Sequence, residues 1–249
     1  MCTVVLLRRP GHAWPAIIAA NRDEAVNRPW RPPARHWPDR PGVLAGLDEE
    51  AGGSWMGLNE AGVMAAILNR RGSLGPATGK RTRGALVLEA LDHDTAGAAA
   101  AAMAQVDGSA YRSFNMLIAD REDAFWIRHA GGRGVSAQPV GAGLSMLTAW
   151  DLNDRINSDR TDCYLPRFEA ARPPDPHAPD GWTDWETLLA SEETAPGVLD
   201  PNGAMHVRTD WGFGTVSRAL LALPADGNTT PVWRFASTWP ETRGYVELH

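Results

Sequence analysis

The stretch MCTVVLLRRPGHAWPAIIAANRDE, residues 1–24, decides the fold. Two runs of β-branched and aliphatic residues, TVVLLRR and PAIIAANRDE, flank the turn-forming segment PGHAW. These runs predict two largely buried strands that pair as a hairpin. Cys2 precedes the first strand, and a donor, a cation and two anions, Asn21 to Glu24, end the second. The hairpin is therefore expected to bring a thiol close to a cluster of polar and charged side chains.

Hairpin patterns recur along the chain. NEAG, residues 59–62, has Asn and Gly where a tight turn needs them, so Ser54 to Leu58 is expected to pair with Val63 to Asn69. Residues 113–138 and 213–235 show the same strand-turn-strand pattern. Because short turns join the strand pairs, we expect antiparallel sheets in one α+β domain spanning residues 1–249, not a doubly wound parallel sheet.

Helical patterns separate these hairpins. Residues 83–106 are rich in alanine and leucine, with a break near Asp92 to Gly97, and this predicts two consecutive helices on one face of a sheet. YLPRFEAA and WTDWETLLASEE, which start at residues 164 and 182, predict two short helices, the second capped by Asp180 or Thr183. Asn27 to Gly42 carries five prolines and predicts an ordered surface loop.

Composition narrows the classes of function. The 249 residues carry a net charge of -6 and a pI near 5.6, which argues against binding nucleic acid or an anionic membrane. No apolar stretch reaches the roughly 18 to 20 residues of a membrane span, and the first residues lack the pattern of a secretory signal. With only Cys2 and Cys163, the sequence predicts no disulfide framework and a cytoplasmic location. The histidines lack metal-ligand spacing, so we expect neither metal nor cofactor. The oligomeric state stays open.

Cys2 is the first candidate for chemistry. A methionine followed by a small residue is commonly trimmed, so Cys2 is expected to become the mature N-terminus. One residue would then carry a nucleophilic thiol and an α-amine that can take its proton. Typical pKa values of about 8 for the amine and about 8.5 for the thiol allow a nearby cation such as Arg22 to favour the thiolate. The alternative is a small apolar residue that fills a buried strand position.

A family resemblance rests on motifs in a fixed order. They are MC at the start, AANRDE followed by RP, AGLDEEAGGSWMG, NEAGVMAAILN, RTRG, FNMLIAD and GFGT. Together they run along nearly the whole chain, which thereby resembles the NRDE family, also called the transport and Golgi organisation 2 family.

A more distant resemblance concerns mechanism. Cysteine N-terminal nucleophile hydrolases of the choloylglycine hydrolase and penicillin acylase group are similar in their Met-Cys-Thr start, their Arg/Asn/Asp cluster and their NEAG-like hairpin. The resemblance implies a four-layer αββα sandwich of antiparallel sheets with Cys2 as the nucleophile. It also implies that Arg22 polarises the thiol, Asp23 orients the amine, Asn69 donates to the oxyanion and Arg218 supplies a second cation.

Two departures from these families affect the expected site. Met146 stands where the hydrolases have an asparagine that helps form the oxyanion hole, and Val216 stands where many NRDE relatives have an arginine. Asn115 could replace the missing donor, although an asparagine within a strand is about as often a structural bridge. Asn21 and Trp55 are the other candidate substrate-binding residues.

Two functions follow from these observations. The first is a hydrolase or acyltransferase that acts on an amide or thioester of a small molecule through an acyl-thioester on Cys2. The alternative is a non-catalytic protein that binds and transports an apolar acidic ligand such as haem or acyl-CoA. The resemblance to the NRDE family implies the second function, whereas the gathering of a thiol, an amine and a cation at one strand end favours the first.

Overall fold

The computed structural model describes residues 1–240 and 243–249. The described strands are β1 (Thr3–Arg8), β2 (Ala16–Ala25), β3 (Trp30–Ala34), β4 (Val43–Asp48), β5 (Met56–Asn59), β6 (Met64–Asn69), β7 (Phe114–Ala119), β8 (Ala124–His129), β9 (Ser136–Pro139), β10 (Gly143–Leu147), β11 (Phe213–Leu223), β12 (Val232–Ser237) and β13 (Val246–Leu248). The α-helices are α1 (Gly84–Leu91), α2 (Ala96–Ala104), α3 (Asp159–Ala170) and α4 (Thr183–Ala190). Two short 3-10 turns lie at Gly108–Ala110 and Pro201–Gly203.

The chain forms two compact units, each built on one antiparallel sheet. The first comprises Met1–Asn27, Ala142–Pro224 and Thr229–His249, and its sheet has the order β10-β1-β2-β11-β12-β13. The second comprises Arg28–Gly141 and Ala225–Asn228, with the order β3-β4-β5-β6-β7-β8-β9. The expected α+β class with antiparallel sheets is therefore confirmed, and the extent of the domain stays a prediction.

In the first unit, α3 and α4 cover one face of the sheet. Side chains that alternate along the central strands, such as Val5, Ala19 and Leu220, pack there against Tyr164 of α3 and Trp185 of α4. Alternate strand residues point to opposite faces of a sheet. A strand residue whose side chain packs in this cluster therefore points to the helix-covered face, and the residues directly before and after it along the strand point to the opposite face.

In the second unit, α1 and α2 pack against one side of the other sheet. Leu86 and Val87 of α1 and Ala99 of α2 join strand residues such as Ala65 and Met116 in one buried cluster. Thr95 caps α2 by accepting a hydrogen bond from the Ala98 N–H at 3.2 Å. The two consecutive helices predicted from the alanine-rich segment are thus confirmed, with the break at residues 92–95.

The predicted hairpins are present in the structure. Thr3 pairs with Asn21 and Arg8 with Ala16 in the β1–β2 ladder. The NEAG turn joins β5 to β6, and the hairpins at β7–β8 and β11–β12 also form. Turn chemistry is local, so these pairings could be read from short segments of sequence.

The two short helices predicted in the second half of the chain are confirmed as α3 and α4, but three details of the expected local structure were wrong. The proline-rich segment is not all loop, because residues 30–34 form β3 at the edge of its sheet, where missing N–H groups are tolerated. Helix α3 begins at Asp159, five residues before the predicted helix, because Ser158 caps it by accepting from the Thr161 N–H at 3.2 Å. Helix α4 has Trp182 at its N-cap and no side-chain cap, so neither Asp180 nor Thr183 plays that part.

Two glycines in the matched motifs are explained by close packing in the second unit. A Cβ at Gly53 would lie 2.4 Å from the backbone carbon of Gly84, the first residue of α1. The backbones touch there, and the Ser54 N–H donates to the Gly84 carbonyl at 3.1 Å. The glycines of GGSW and RTRG therefore allow these two backbone segments to pack closely together.

Within residues 1–240 and 243–249, no helix is both long and apolar enough to cross a bilayer. The same residues contain no group of three or more His, Cys, Asp or Glu side chains placed to hold a metal ion.

Candidate active site

The N-terminal ammonium is held by two side chains. The nitrogen of Met1 donates to Asp23 Oδ2 at 2.9 Å and to Asn202 Oδ1 at 3.2 Å. The Asp23 side chain is fully buried, whereas the side chain of Met1 is 31% exposed. A buried carboxylate paired with a terminal ammonium fixes the position of the first residues of the chain.

The thiol of Cys2 contacts the backbone of the same aspartate. Its sulfur accepts from the Asp23 N–H and donates to the Asp23 carbonyl, each at 3.4 Å. Burial and the negative charge of Asp23 raise the pKa of the Cys2 thiol, against the lowering effect of the N-terminal ammonium. In the chain that carries Met1 the thiol is therefore protonated at neutral pH. The expectation that Arg22 favours the thiolate concerns the chain that begins at Cys2 and stays a prediction.

Asp23 is the centre of the cluster. Burial disfavours its ionised form, but the N-terminal ammonium, Arg160 and the Thr215 hydroxyl outweigh that effect and hold the pKa of Asp23 below its usual value. Arg160 Nη1 lies 3.0 Å from Oδ2, and Thr215 Oγ1 donates to Oδ1 at 2.6 Å. Asp23 therefore remains a carboxylate at neutral pH despite complete burial.

A bulge in β11 places two of the surrounding residues. Thr215 pairs with Asp23 and Ser217 with Arg22, so Val216 is an extra residue in the ladder. Without this extra residue, strand alternation would put Thr215 and Ser217 on the same face of the sheet. Because of the bulge, Thr215 and Arg218 both belong to the face that the helices cover. Val216, which stands where relatives have arginine, is completely buried.

The partners of the N-terminus come from distant segments. Arg160 lies in the first turn of α3, next to the Ser158 cap, and its side chain is only 1% exposed. Asn202 lies in a 3-10 turn in which its Nδ2 donates to Asp200 Oδ1 at 2.8 Å. That bond directs the amide oxygen of Asn202 towards the Met1 ammonium.

Arg22 projects to the opposite face from Asp23. It is 5% exposed and pairs with Ser217 across the ladder. Thr3 reaches Arg160 on the helix-covered face, so the preceding residue, Cys2, projects to the same side as Arg22. The structure thus brings Arg22 to the face of the thiol, although the principal influences on the pKa of Cys2, among the described residues, are burial, Asp23, the ammonium and Glu24.

Arg218 has a histidine partner that the sequence did not suggest. Its Nη2 lies 2.9 Å from Nδ1 of His206, which is 3% exposed. Burial, Arg218 and Arg208 lower the pKa of His206 to about 4, so the ring is neutral at pH 7. A neutral ring has one acceptor nitrogen. Arg208 Nε also approaches the other ring nitrogen, Nε2, at 3.2 Å, so two guanidinium groups face a ring that can accept from only one of them.

His206 should make stability depend on pH. Its pKa is about 4 when folded and about 6.5 when unfolded, so between these values the unfolded chain binds more protons. The free energy of unfolding should therefore fall as pH is lowered from 6.5 to 4. His206→Gln cannot titrate and should show a smaller fall, measured by urea unfolding across this range. His249→Gln, at an exposed position, is the control, and identical slopes for wild type and His206→Gln would contradict this assignment.

Asn21 and Asn115 are held by structural contacts. Asn21 Nδ2 donates to the carbonyls of Leu189 and Met205 at 2.9 and 2.8 Å, and thereby links β2 to α4 and to the segment before β11. Asn115 Oδ1, in the second unit, accepts from Arg70 Nη1 at 2.7 Å and from Trp126 Nε1 at 3.1 Å. Of the alternatives considered for Asn115, these contacts favour the structural bridge.

Asn69 and Trp55 also belong to the second unit. Asn69 is the last residue of β6, is partly buried and pairs with Phe114. The ring of Trp55 makes an edge contact with Trp30 at 5.7 Å and occupies the space over Gly46, where a Cβ would lie 2.3 Å from it. Their proposed roles in binding and catalysis remain predictions.

Met146 lies in the core on the helix-covered face. It is fully buried, pairs with Val5 and packs in the same apolar cluster. Its N–H donates to Asn153 Oδ1 at 2.7 Å, and Asn153 has the left-handed backbone angle φ of 57°. Position 146 therefore points away from the face of Cys2, and neither its side chain nor its N–H serves as an oxyanion donor.

Solved structures of several hydrolases share this fold. An N-acylethanolamine-hydrolyzing acid amidase ortholog from Caenorhabditis elegans matches with a TM-score of 0.61 and 13% identity over 91% of this chain and 94% of that chain. Penicillin V acylase from Agrobacterium tumefaciens matches with a TM-score of 0.56 and 12% identity over 99% of this chain and 86% of that chain. Conjugated bile acid hydrolase from Clostridium perfringens matches with a TM-score of 0.55 and 12% identity over 100% of this chain and 92% of that chain. The fold is that of the N-terminal nucleophile hydrolases.

Sequence comparison shows the family. The family model described as Transport and Golgi organisation 2 matches residues 1–157, and the chain belongs to this family. The human transport and Golgi organization protein 2 homolog is 28% identical over 250 residues, covering 88% of this chain and 86% of that protein. The homolog from Bos taurus is 36% identical over 136 residues, covering 52% of this chain and 48% of that protein.

Proposed function

We propose that the protein is an N-terminal cysteine hydrolase or acyltransferase that acts on an amide or thioester of a small molecule. One observation carries the proposal. Asp23 holds the terminal ammonium with its side chain and the Cys2 thiol with its backbone, at 2.9 and 3.4 Å. A single buried residue thus collects the two groups that an N-terminal nucleophile needs. The solved structures with this fold include amide hydrolases, which supports the reaction class by analogy.

Removal of Met1 is the step that would activate the site. The pKa of Cys2 is raised while the ammonium belongs to Met1. When Cys2 is the first residue, its own α-nitrogen takes the place beside Asp23, and the charge moves next to the thiol. A closer ammonium favours the thiolate, and the amine formed by its deprotonation is a base within the same residue.

The reaction then follows from these groups. The α-amine takes the thiol proton, and the sulfur attacks the acyl carbonyl carbon to form a tetrahedral oxyanion. The carbon–nitrogen bond breaks, the ammonium returns the proton to the leaving nitrogen, and an acyl-thioester remains on Cys2. Water or an acceptor amine then attacks the thioester carbonyl carbon, the carbon–sulfur bond breaks, and the proton of the attacking atom passes through the α-amine to the Cys2 sulfur. By resemblance, Arg22 polarises the thiol and Asn69 donates to the oxyanion.

The test is the intact mass of the purified protein before and after incubation with p-nitrophenyl acetate. The expected chain begins at Cys2 and gains one acetyl group on its N-terminal peptide, with release of p-nitrophenol. Hydroxylamine should remove the group, because thioesters are labile to it. Retention of Met1 in protein that becomes acylated would contradict the self-base mechanism.

A second function is favoured by the raised pKa of Cys2. A half-buried, protonated thiol behaves as a small apolar side chain. If Met1 stays in place, the site has the properties of a structural anchor for the N-terminus. The protein would then bind an apolar acidic ligand such as haem or acyl-CoA without turnover, and the acetylation experiment would yield no adduct.

A further inference from the structure

Arg160 is a buried cation for which the proposed reaction has not yet assigned a role. Its side chain is 1% exposed and pairs with the fully buried carboxylate of Asp23 at 3.0 Å. Its Nε also donates to the carbonyl of Asn202 at 3.1 Å. One guanidinium therefore contacts both residues that hold the N-terminal ammonium.

The contacts of Nη1 are more numerous than its hydrogens. This nitrogen approaches Asp23 Oδ2 at 3.0 Å, Thr3 Oγ1 at 2.6 Å and the carbonyl oxygen of Met1. A guanidinium Nη carries two hydrogens, so at least one hydrogen is shared between two of these three oxygens. Meanwhile Nη2 is buried and has no hydrogen-bond partner among the described residues.

Removal of Met1 would resolve this competition. The carbonyl of Met1 leaves with the residue, and the two hydrogens of Nη1 then match Asp23 and Thr3. Thr3 directly follows Cys2, so one guanidinium would fix both the carboxylate that holds the amine and the residue next to the nucleophile. The donor arrangement fits the chain that begins at Cys2 better than the chain that begins at Met1.

We propose that Arg160 is a positioning residue that fixes Asp23 and Thr3 and thereby sets the orientation and charge of the Cys2 α-amine. The proposal rests on the function proposed above. Arg160 and the Met1 ammonium bond the same carboxylate oxygen, at 3.0 and 2.9 Å, so they are close neighbours with like charge. In the chain that begins at Cys2, the carboxylate of Asp23 would favour the charged form of the α-amine, and the guanidinium of Arg160 would oppose it and favour the free amine that acts as a base.

The test measures the amine without needing turnover. In a Cys163→Ala background, Cys2 is the only cysteine, and ¹³C-labelled cysteine reports its titration by NMR. Arg160→Met removes the cation and should raise the midpoint of the amine titration by about one unit. Arg160→Lys retains the charge and should keep the midpoint near that of the parent. Arg167→Met, in the same helix but paired with exposed Glu193, should change nothing.

Turnover gives the second readout. Arg160→Lys loses the planar fork that reaches Asp23, Thr3 and Asn202 together, and kcat should fall by about tenfold or more while KM changes little. An unchanged amine midpoint in folded Arg160→Met, or full kcat in Arg160→Lys, would overturn the proposal. If wild type begins at Cys2 but forms no acyl adduct, the proposed function fails, and the NMR titration still decides whether Arg160 sets the charge of the amine. If the purified protein retains Met1, no Cys2 α-amine exists and the proposal is overturned.

Discussion

Alanine at position 2 is expected to abolish covalent acylation and to lower turnover by about 10³-fold or more, with little change in thermal stability. Without the sulfur, no thioester can form. The cost to folding should be small because the contacts of the thiol within residues 1–240 and 243–249 are long, at 3.4 Å, and involve the backbone of Asp23. Sulfur is a weak donor and a weak acceptor, so these contacts contribute little.

The measurement combines intact mass, turnover and the thermal unfolding midpoint. Alanine is also small, so Met1 should still be removed, and the variant differs from wild type only at the thiol. Cys163→Ala is the matched control. Cys163 lies in α3 and burial raises the pKa of its thiol, so its loss should leave acylation intact. Equal acylation of Cys2→Ala and wild type would refute the assignment of Cys2.

The same variant separates enzyme from carrier. A carrier binds its ligand through apolar surface and should retain its affinity for haem or acyl-CoA when the thiol is absent. If wild type forms no adduct while both proteins bind such a ligand equally well, the transport function is the correct one.

Local signals explain how much of the fold could be predicted. The β1–β2 hairpin and the β5–β6 turn at NEAG depend on residues close together in sequence, and both were predicted correctly. The edge strand β3 was missed because its prolines argue against a strand unless its position at the edge is known. That position is a property of the whole sheet and cannot be read from the segment itself.

From the sequence, only the part of the candidate site that the β1–β2 hairpin itself forms was predicted. The contact between Cys2 and Asp23 follows from the β1–β2 pairing. Arg160 reaches Asp23 across 137 positions and Thr215 across 192, and nothing near either residue signals that contact. Thr215 at least lies within the matched motif GFGT, whereas Arg160 lies outside every matched motif.

Asp23→Asn should separate the reactivity of the thiol from catalysis. The negative charge of Asp23 raises the pKa of Cys2, so its removal should move the pH midpoint of thiol alkylation downward. Turnover should nevertheless fall by about 100-fold or more, because the amine is no longer held as the base. The change leaves Arg160 and the ammonium without their counter-charge and should cost about 3 kcal/mol of the free energy of unfolding.

In Asp23→Asn, a misplaced α-amine should also give a distinct acylated product. An amine free to turn towards its own thioester can attack the carbonyl carbon, so that the sulfur–carbon bond breaks and an amide forms on the α-nitrogen. Asp23→Asn should therefore accumulate an acetyl group that hydroxylamine does not remove, whereas wild type should not. Thr215→Val keeps the charge of Asp23 but loses the hydrogen bond of 2.6 Å to Asp23 and the one of 2.8 Å that Thr215 Oγ1 accepts from the Val207 N–H. It is the milder variant for the amine and should accumulate the same hydroxylamine-resistant acetyl group at a lower level. If both variants release their acetyl group as readily as wild type, Asp23 is a structural anchor for the N-terminus and does not orient a catalytic amine.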